Sequence, residues 1–259
     1  MHTLKTEFLF EYLIKAVSPL DILDVGSMDG ENILRLGHVS PKSRCFAFEA
    51  NPANFARMLN DQKLIDRRVQ VLHAAVCDRD GQAEFHLSHV GESPGDWRQG
   101  TSSLLRRSDP ESGVELATVS VQTITLESFF KKNDISNSAL WIDVEGAAYQ
   151  VVKGIGGAER AVCIGHIEVE ESAVWSGQFN AEQVTELLAS KGYRCIARGR
   201  GKVQYDIVFI DTRLADNKIV RACLWLAFVS SRIHKLLGKA VGLPLHRLIL
   251  YFVPSSVPR

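Results

Sequence analysis

The segment DILDVGSMDGENILRL, residues 21–36, constrains the fold of this chain more than any other. Asp21–Val25 is a short apolar run of the kind that forms a buried strand, and Glu31–Leu36 carries apolar residues at helical spacing. Between them lies a DxGxxxG turn, with Asp24 ending the strand and Gly26 and Gly30 shaping the connection. Gly26 lets main chain approach a ligand closely, and Gly30 permits tight packing or a backbone conformation that side chains disfavour. The helix that follows offers unpaired N–H groups and the positive end of a dipole, which suit an amino-acid carboxylate. Such a turn also serves as a plain strand-to-helix connector, so its meaning depends on what accompanies it.

What accompanies it is alternation. Arg44–Glu49 reads as a second strand, Pro52 opens a helix over Ala53–Asn60, and Val69–Val76 reads as a third strand. Gln82–Ser88 and Val119–Leu126 are two further strand-like runs around an insertion at about 88–118, whose polar, Gly-rich part Gly91–Gly113 includes Asp96 and Trp97. An unstructured loop longer than about 12–15 residues inside a compact domain is usually functional or disordered, and this one reads as a substrate lid. Leu140–Val144, a helix from Gly146 to about Lys153, Ala161–Val169 and the helix Ala181–Ser190 restore the rhythm. Tyr193–Ala197 and Tyr205–Ile210 pair as a closing hairpin. The pattern predicts an α/β fold of Rossmann-like type, a mostly parallel seven-stranded sheet with helices on both faces.

Acids at strand ends supply the candidate chemistry. Glu49 ends the second strand 23 residues beyond Gly26, near the spacing at which such folds set a carboxylate on ribose hydroxyls. Asp143 and Glu145, in IDVEG, end the fourth strand at the sheet edge where open α/β folds bind ligands. Asp143 is placed to orient a substrate or take a hydroxyl proton, whereas Glu145 serves either the site or the cap of the next helix. His166, in the fifth strand, is the second candidate base, although a histidine in an apolar strand is more often a core residue. Asp143, Glu145 and His166 offer O and N ligands that suit Mg²⁺ or Mn²⁺, but no ligand spacing is diagnostic of a metal.

LDVGSMDG, FAFEANP, HAAVCDRDGQAEF, GTSSL, TITLESF, LWIDVEGA and HIEVE occur in this order over roughly residues 20–211. The ordered set resembles the FkbM family of methyltransferases dependent on S-adenosylmethionine (SAM). The resemblance implies that Asp24, Gly26 and Gly30 hold the methionine end of SAM, that Glu49 holds the ribose, and that Ala75, Val76 and Asp78 border adenine. It also implies that Asp143 and Glu145 stand beside the transferring methyl. Trp141 stands where many members have Lys, and Glu127 where many have Asp.

The 30 basic and 30 acidic residues balance, but unevenly along the chain. No acid follows Asp216, while seven Lys and Arg do, so residues 1–216 carry a net charge of −7. An acidic body does not suit a nucleic-acid enzyme, whose cleft would be basic. The five cysteines are scattered without a CxxC pair, as expected of buried, reduced thiols in a cytoplasmic protein. The N-terminal stretch, interrupted by Lys5, Glu7, Glu11 and Lys15, reads as an amphipathic helix over about 4–17 rather than a signal peptide.

The domain is expected to span 1–213 and a basic amphipathic tail 214–259. Apolar residues recur at helical spacing from Ile219 to Phe228 and again from Ile233 to Val241, with Pro244 breaking the pattern. No uncharged stretch approaches the ~20 residues a membrane span needs. Two readings of residues 217–253 stand: a helix at the cytoplasmic membrane surface, near a lipid-linked substrate, or a cap on the body or a second copy. The function expected is in-line transfer of a methyl group from SAM to a hydroxyl of a sugar, glycolipid or secondary metabolite. The alternatives are a non-catalytic adaptor on the same fold and a nicotinamide-dependent oxidoreductase, which would show GxGxxG.

Overall fold

A computed structural model of the chain describes residues 1–88, 100–108, 117–237 and 239–253. Most of the polar segment read as a lid, including Asp96 and Trp97, lies outside these residues. The main sheet has eight strands in the order β1-β10-β11-β9-β8-β2-β3-β4. These are β1 (His2–Thr3), β2 (Asp21–Val25), β3 (Arg44–Glu49), β4 (Gln70–His73), β8 (Ser138–Ile142), β9 (Val162–Glu170), β10 (Tyr193–Arg198) and β11 (Gln204–Asp211). All neighbours run parallel except β11, which is antiparallel to both β9 and β10. The expected seven strands are present, and β1 adds a two-residue edge beside β10.

The chain leaves β2 toward β3 and β4, then returns to lay β8 on the other side of β2. Strand order therefore reverses at β2, and the carboxyl end of β2 is the switch point where such sheets open a crevice. Successive side chains of β2 point to opposite faces. Ile22 packs into the core shared with α1 (Thr6–Val17) and α2 (Glu31–Val39). Leu23 and Val25 pack into the opposite core, with α5 (Leu126–Asn133), α6 (Ala148–Lys153) and α7 (Ala181–Ser190). Helix starts follow local chemistry. Asn51 caps α3 (Pro52–Leu59) ahead of Pro52, and Asn180 with Gln183 forms a capping box on α7. A short helix α4 (Gln62–Asp66) leads into β4.

The expected third strand, 69–76, is two strands. It breaks at Ala74, after which β5 (Ala75–Val76) leaves the main sheet and pairs with β7 (Ala117–Ile124). With β6 (Gly81–Leu87) these form a separate three-stranded sheet ordered β5-β7-β6. This sheet leans over the carboxyl side of β3, where Ala50 joins Ala75, Phe85 and Val121 in a third small core.

The C-terminal segment joins the first core. After the short helix α8 (Thr212–Ala215), helix α9 (Lys218–Leu237) buries Val220, Cys223 and Ala227 against the body. Ser230 Oγ lies 2.9 Å from the Tyr12 hydroxyl, and the Lys5 N–H donates to Ser231 Oγ at 2.8 Å. Helix α10 (Lys239–Phe252) continues through Pro244, where the sequence pattern predicts a break. Proline removes one backbone hydrogen bond, and the helix beyond it is pinned from outside. His246 stacks on Phe8 and meets Glu11 Oε2 at 2.8 Å and the Tyr12 hydroxyl at 2.9 Å.

Candidate functional site

The turn after β2 is shaped by close backbone approach. Gly26 has φ +84°, and a Cβ there would fall 1.8 Å from the Asp143 carbonyl oxygen. The Asp143 N–H donates to the Val25 carbonyl at 2.9 Å, so the turns after β2 and β8 are locked together. Gly26 thus serves first to let these two turns meet, and the same closeness brings both to the border of one cavity. Gly30 has φ +81°, and Leu64 occupies the space a side chain would need. Its role is the packing and conformation read from the sequence.

A cavity opens at the switch point. Gly26, Met28, Glu49, Ala50, Asp143 and Val144 border it, together with Ala75, Val76 and Phe85, which form an apolar shelf. Of the sequence candidates, Gly26, Glu49, Ala75, Val76 and Asp143 therefore border one space. Asp24, Gly30, Asp78, Glu145 and His166 do not line it. Asp24 is fully buried beneath the turn, accepts the Ser27 hydroxyl at 2.5 Å, and is pushed by burial up to about 7. Asp78 pairs with Lys153 at 2.8 Å, on the helix that follows β8.

Glu49 is positioned by main chain. Its two carboxylate oxygens accept from the Met28 N–H at 2.6 Å and the Asn51 N–H at 2.7 Å. Burial outweighs these bonds and raises its pKa to about 7. A carboxylate fixed in this way keeps accepting capacity on both oxygens, which fits a vicinal diol. One carboxylate and an apolar shelf at the carboxyl edge of the sheet match the needs of a nucleoside.

Asp143 also belongs to a cluster of acids. Ligand atoms of Asp143, Glu145 and Glu168 lie within 4.8 Å of one another. Asp143 and Glu168 share a hydrogen bond, which lowers the Asp143 pKa against the larger opposing effect of burial, while burial raises that of Glu168. Glu145 rises to about 8, chiefly by burial and then by the charge of Asp143, with Arg107 opposing. Glu170 and Asp206 stand beside this group, each raised to about 7 mainly by burial. Glu168 and Asp206 are register partners on β9 and β11, a pairing that the sequence reading did not contain. Period-2 alternation from His166 to Glu168 and Glu170 was the available signal.

Glu145 and Gly146 form a sharp turn, with φ +46° and +84°. Two outside elements clasp it. The Ser103 hydroxyl donates to the Glu145 carbonyl at 2.6 Å, and the Trp175 indole fills the space a Cβ on Gly146 would need. Arg107 in turn lies 5.1 Å over the Trp175 ring. The GTSSL segment therefore belongs to the site: Gly100, Ser102 and Leu104 border the cavity, and Gly100 rests on Met28 Sδ.

His166 does not line the cavity, although its Nε2 lies 4.0 Å from Asp206 Oδ2. It is 1% exposed, stacked 3.7 Å from Trp141, and neither ring nitrogen has a hydrogen-bond partner. Burial holds its pKa well below the usual imidazole range. Arg35 covers the same indole at 4.9 Å, so Trp141 sits between a cation and a neutral ring. Glu127 accepts the Gly157 N–H at 3.0 Å, a fold contact rather than a site contact.

A family model for the methyltransferase FkbM domain matches residues 24–195. The chain is 25% identical over 198 residues to the 2-O-methyltransferase NoeI of Sinorhizobium fredii, covering 74% of this chain and 80% of that protein. Among solved structures, it resembles methyltransferase FkbM from Methylobacillus flagellatus, with 13% identity and a TM-score of 0.46. That match covers 74% of this chain and 43% of the other. A SAM-dependent methyltransferase from Aquifex aeolicus matches with 13% identity and a TM-score of 0.41, over 80% of this chain and 88% of the other. The motifs around the cavity all fall inside the matched span, and the chain belongs to the FkbM methyltransferase family.

Proposed function

We propose that this chain is an O-methyltransferase that uses SAM and acts on a hydroxyl of a sugar or glycolipid, with a secondary metabolite as the second acceptor class. The observation that carries the reading is that Glu49 and Asp143 border one cavity beside the Gly26 turn. The printed name of the Sinorhizobium relative, a 2-O-methyltransferase, supports transfer to oxygen.

SAM supplies an electrophilic methyl group on a sulfonium that leaves readily. Glu49 holds the ribose diol, while Ala75, Val76 and Phe85 provide the apolar shelf for the base. The turn 26–30 would receive the amino-acid end, beside the positive dipole end of α2. The Asp143 side receives the acceptor. Asp143, in its ionised form, takes the hydroxyl proton as the oxygen attacks, and Glu168 tunes the pH at which that form is available through its hydrogen bond to Asp143. Aligning the two reactants contributes up to ~7–11 kcal/mol, and a base typically adds about 10²–10⁴-fold. Ser103 and Arg107 act through the Glu145 turn as positioning residues.

The test is incubation of the full chain with methyl-labelled SAM and a panel of glycans, glycolipids and polyketide alcohols, read by mass spectrometry. One methyl ether formed per S-adenosylhomocysteine released is the expected result. Label on nitrogen or carbon overturns the oxygen assignment. Binding of SAM with no methylated product from any acceptor favours the adaptor reading instead.

A further inference from the structure

Helix α9 has two unlike faces. One is buried against α1 through Val220, Cys223, Ala227 and Ser230. The other presents Lys218, Arg221, Trp225, Phe228, Arg232 and Lys235 at intervals of three or four residues, all exposed. Trp225 is 63% exposed, a costly state for an indole in water unless it meets something apolar. Two cations precede the aromatic pair and two follow it, and Arg232 lies 5.5 Å over the Phe228 ring. Helix α10 adds Tyr251 and Phe252, each more than 70% exposed, beside Arg247.

No acid follows Asp216, so nothing in this segment neutralises these cations. The body, by contrast, carries a net charge of −7. A face that pairs exposed aromatics with unopposed Lys and Arg complements an anionic, apolar-beneath-polar surface. No described helix is long and apolar enough to cross a membrane. The hydrogen bonds that pin α9 and α10 to α1 hold this face in place, so no folding of the segment is needed on contact.

We propose that the outer face of α9 and α10 docks the protein on an anionic lipid bilayer without crossing it. The docking end lies near the acceptor side of the site. Ser231 bonds Lys5, the adjacent Thr6 reaches Asp206, and Asp206 is the register partner of Glu168. A bilayer on this face delivers a lipid-linked acceptor to the acid cluster. That last step rests on the glycolipid reading above, whereas the docking itself does not.

The experiment is co-sedimentation of the full chain with phosphatidylcholine vesicles and with vesicles containing one quarter phosphatidylglycerol. Wild type sediments with the anionic vesicles only, and less as salt rises. Arg221→Gln/Arg232→Gln/Lys235→Gln weakens binding on the order of 100-fold. Trp225→Ser/Phe228→Ser weakens it about 10-fold or more. Both variants keep the wild-type melting temperature, since these side chains are exposed, and keep methyl transfer to a soluble acceptor. Equal sedimentation with both vesicle types, none with either, or variants that bind like wild type overturns the proposal. A wild-type dimer in solution that Trp225→Ser/Phe228→Ser dissociates also overturns it, by assigning the face to a second copy of the chain. Loss of docking with methyl transfer intact separates this inference from the proposed function.

Discussion

Replacing Gly26 by Ala tests whether the locked turns after β2 and β8 organise the site. Two costs follow from the geometry. A left-handed conformation at φ +84° costs an L-residue about 1–2 kcal/mol. The added Cβ also meets the Asp143 carbonyl oxygen at 1.8 Å, and the obstacle is backbone rather than a side chain that can swing away. Forced repacking of that kind costs about 1–3 kcal/mol. Together they amount to about 2–5 kcal/mol, and each kcal/mol lowers Tm by roughly 2–4 °C in a chain of this size. Gly192→Ala is the control, because Gly192 has φ +85° with nothing within 4 Å of its Cβ position. It carries the conformational cost alone. Scanning calorimetry of the two variants should therefore show Gly26→Ala melting lower than Gly192→Ala by several degrees, with a larger loss of SAM protection. Equal melting points would refute the close approach as the organising contact.

Other consequences are as direct. Asp143→Asn lowers kcat by about 10²–10⁴-fold while SAM affinity measured by calorimetry stays within a few-fold. The pKa values of Asp143 and Glu168 are raised, so their pair loses its proton above the ordinary carboxylate range. The rate therefore rises with pH to a plateau, and Glu168→Ala, by removing the hydrogen bond that lowers the Asp143 pKa against burial, moves that rise to higher pH in a kcat/KM profile. Ser103→Ala removes the 2.6 Å bond to the Glu145 carbonyl, lowering kcat with SAM affinity unchanged. Glu11 is half of the His246 contact, and its pKa is held below the ordinary 4.5 by His246 and Arg35 against the opposing effect of burial. A depressed carboxylate stabilises the fold above its unfolded pKa and loses that contribution as pH falls through the folded value. The melting-temperature gap between wild type and Glu11→Gln is thus full at neutral pH and closes below about pH 4.

The sequence made some parts of the molecule legible and hid others for physical reasons. β2 and β3 begin and end where their apolar runs do, because both are buried on both faces and lie in the centre of a parallel sheet. The split at Ala74 has no such mark: Val69 to Val76 is one uninterrupted β-favouring run, and only the pairing of Ala75 and Val76 with β7 divides it. Pro244 misled in the other direction, because the cost of one missing hydrogen bond is local while the anchors on His246 are tertiary. Glu49 and Asp143 were readable from strand ends. Glu168 was readable from the alternation of its strand, but Asp206 was not, because its meeting with Glu168 depends on the antiparallel register of β9 with β11, which no single segment encodes. The clasp of Ser103 and Trp175 on the Glu145–Gly146 turn likewise joins segments far apart in the chain.

The central claim is that the Glu49 carboxylate grips a nucleoside diol in the cavity beside Gly26. A crystal structure of the protein soaked with S-adenosylhomocysteine measures this directly. The account predicts both ribose hydroxyls within about 2.6–3.2 Å of the Glu49 oxygens and the sulfur on the Asp143 side. A ribose bound elsewhere, or Glu49 turned from it with its main-chain bonds intact, would contradict it.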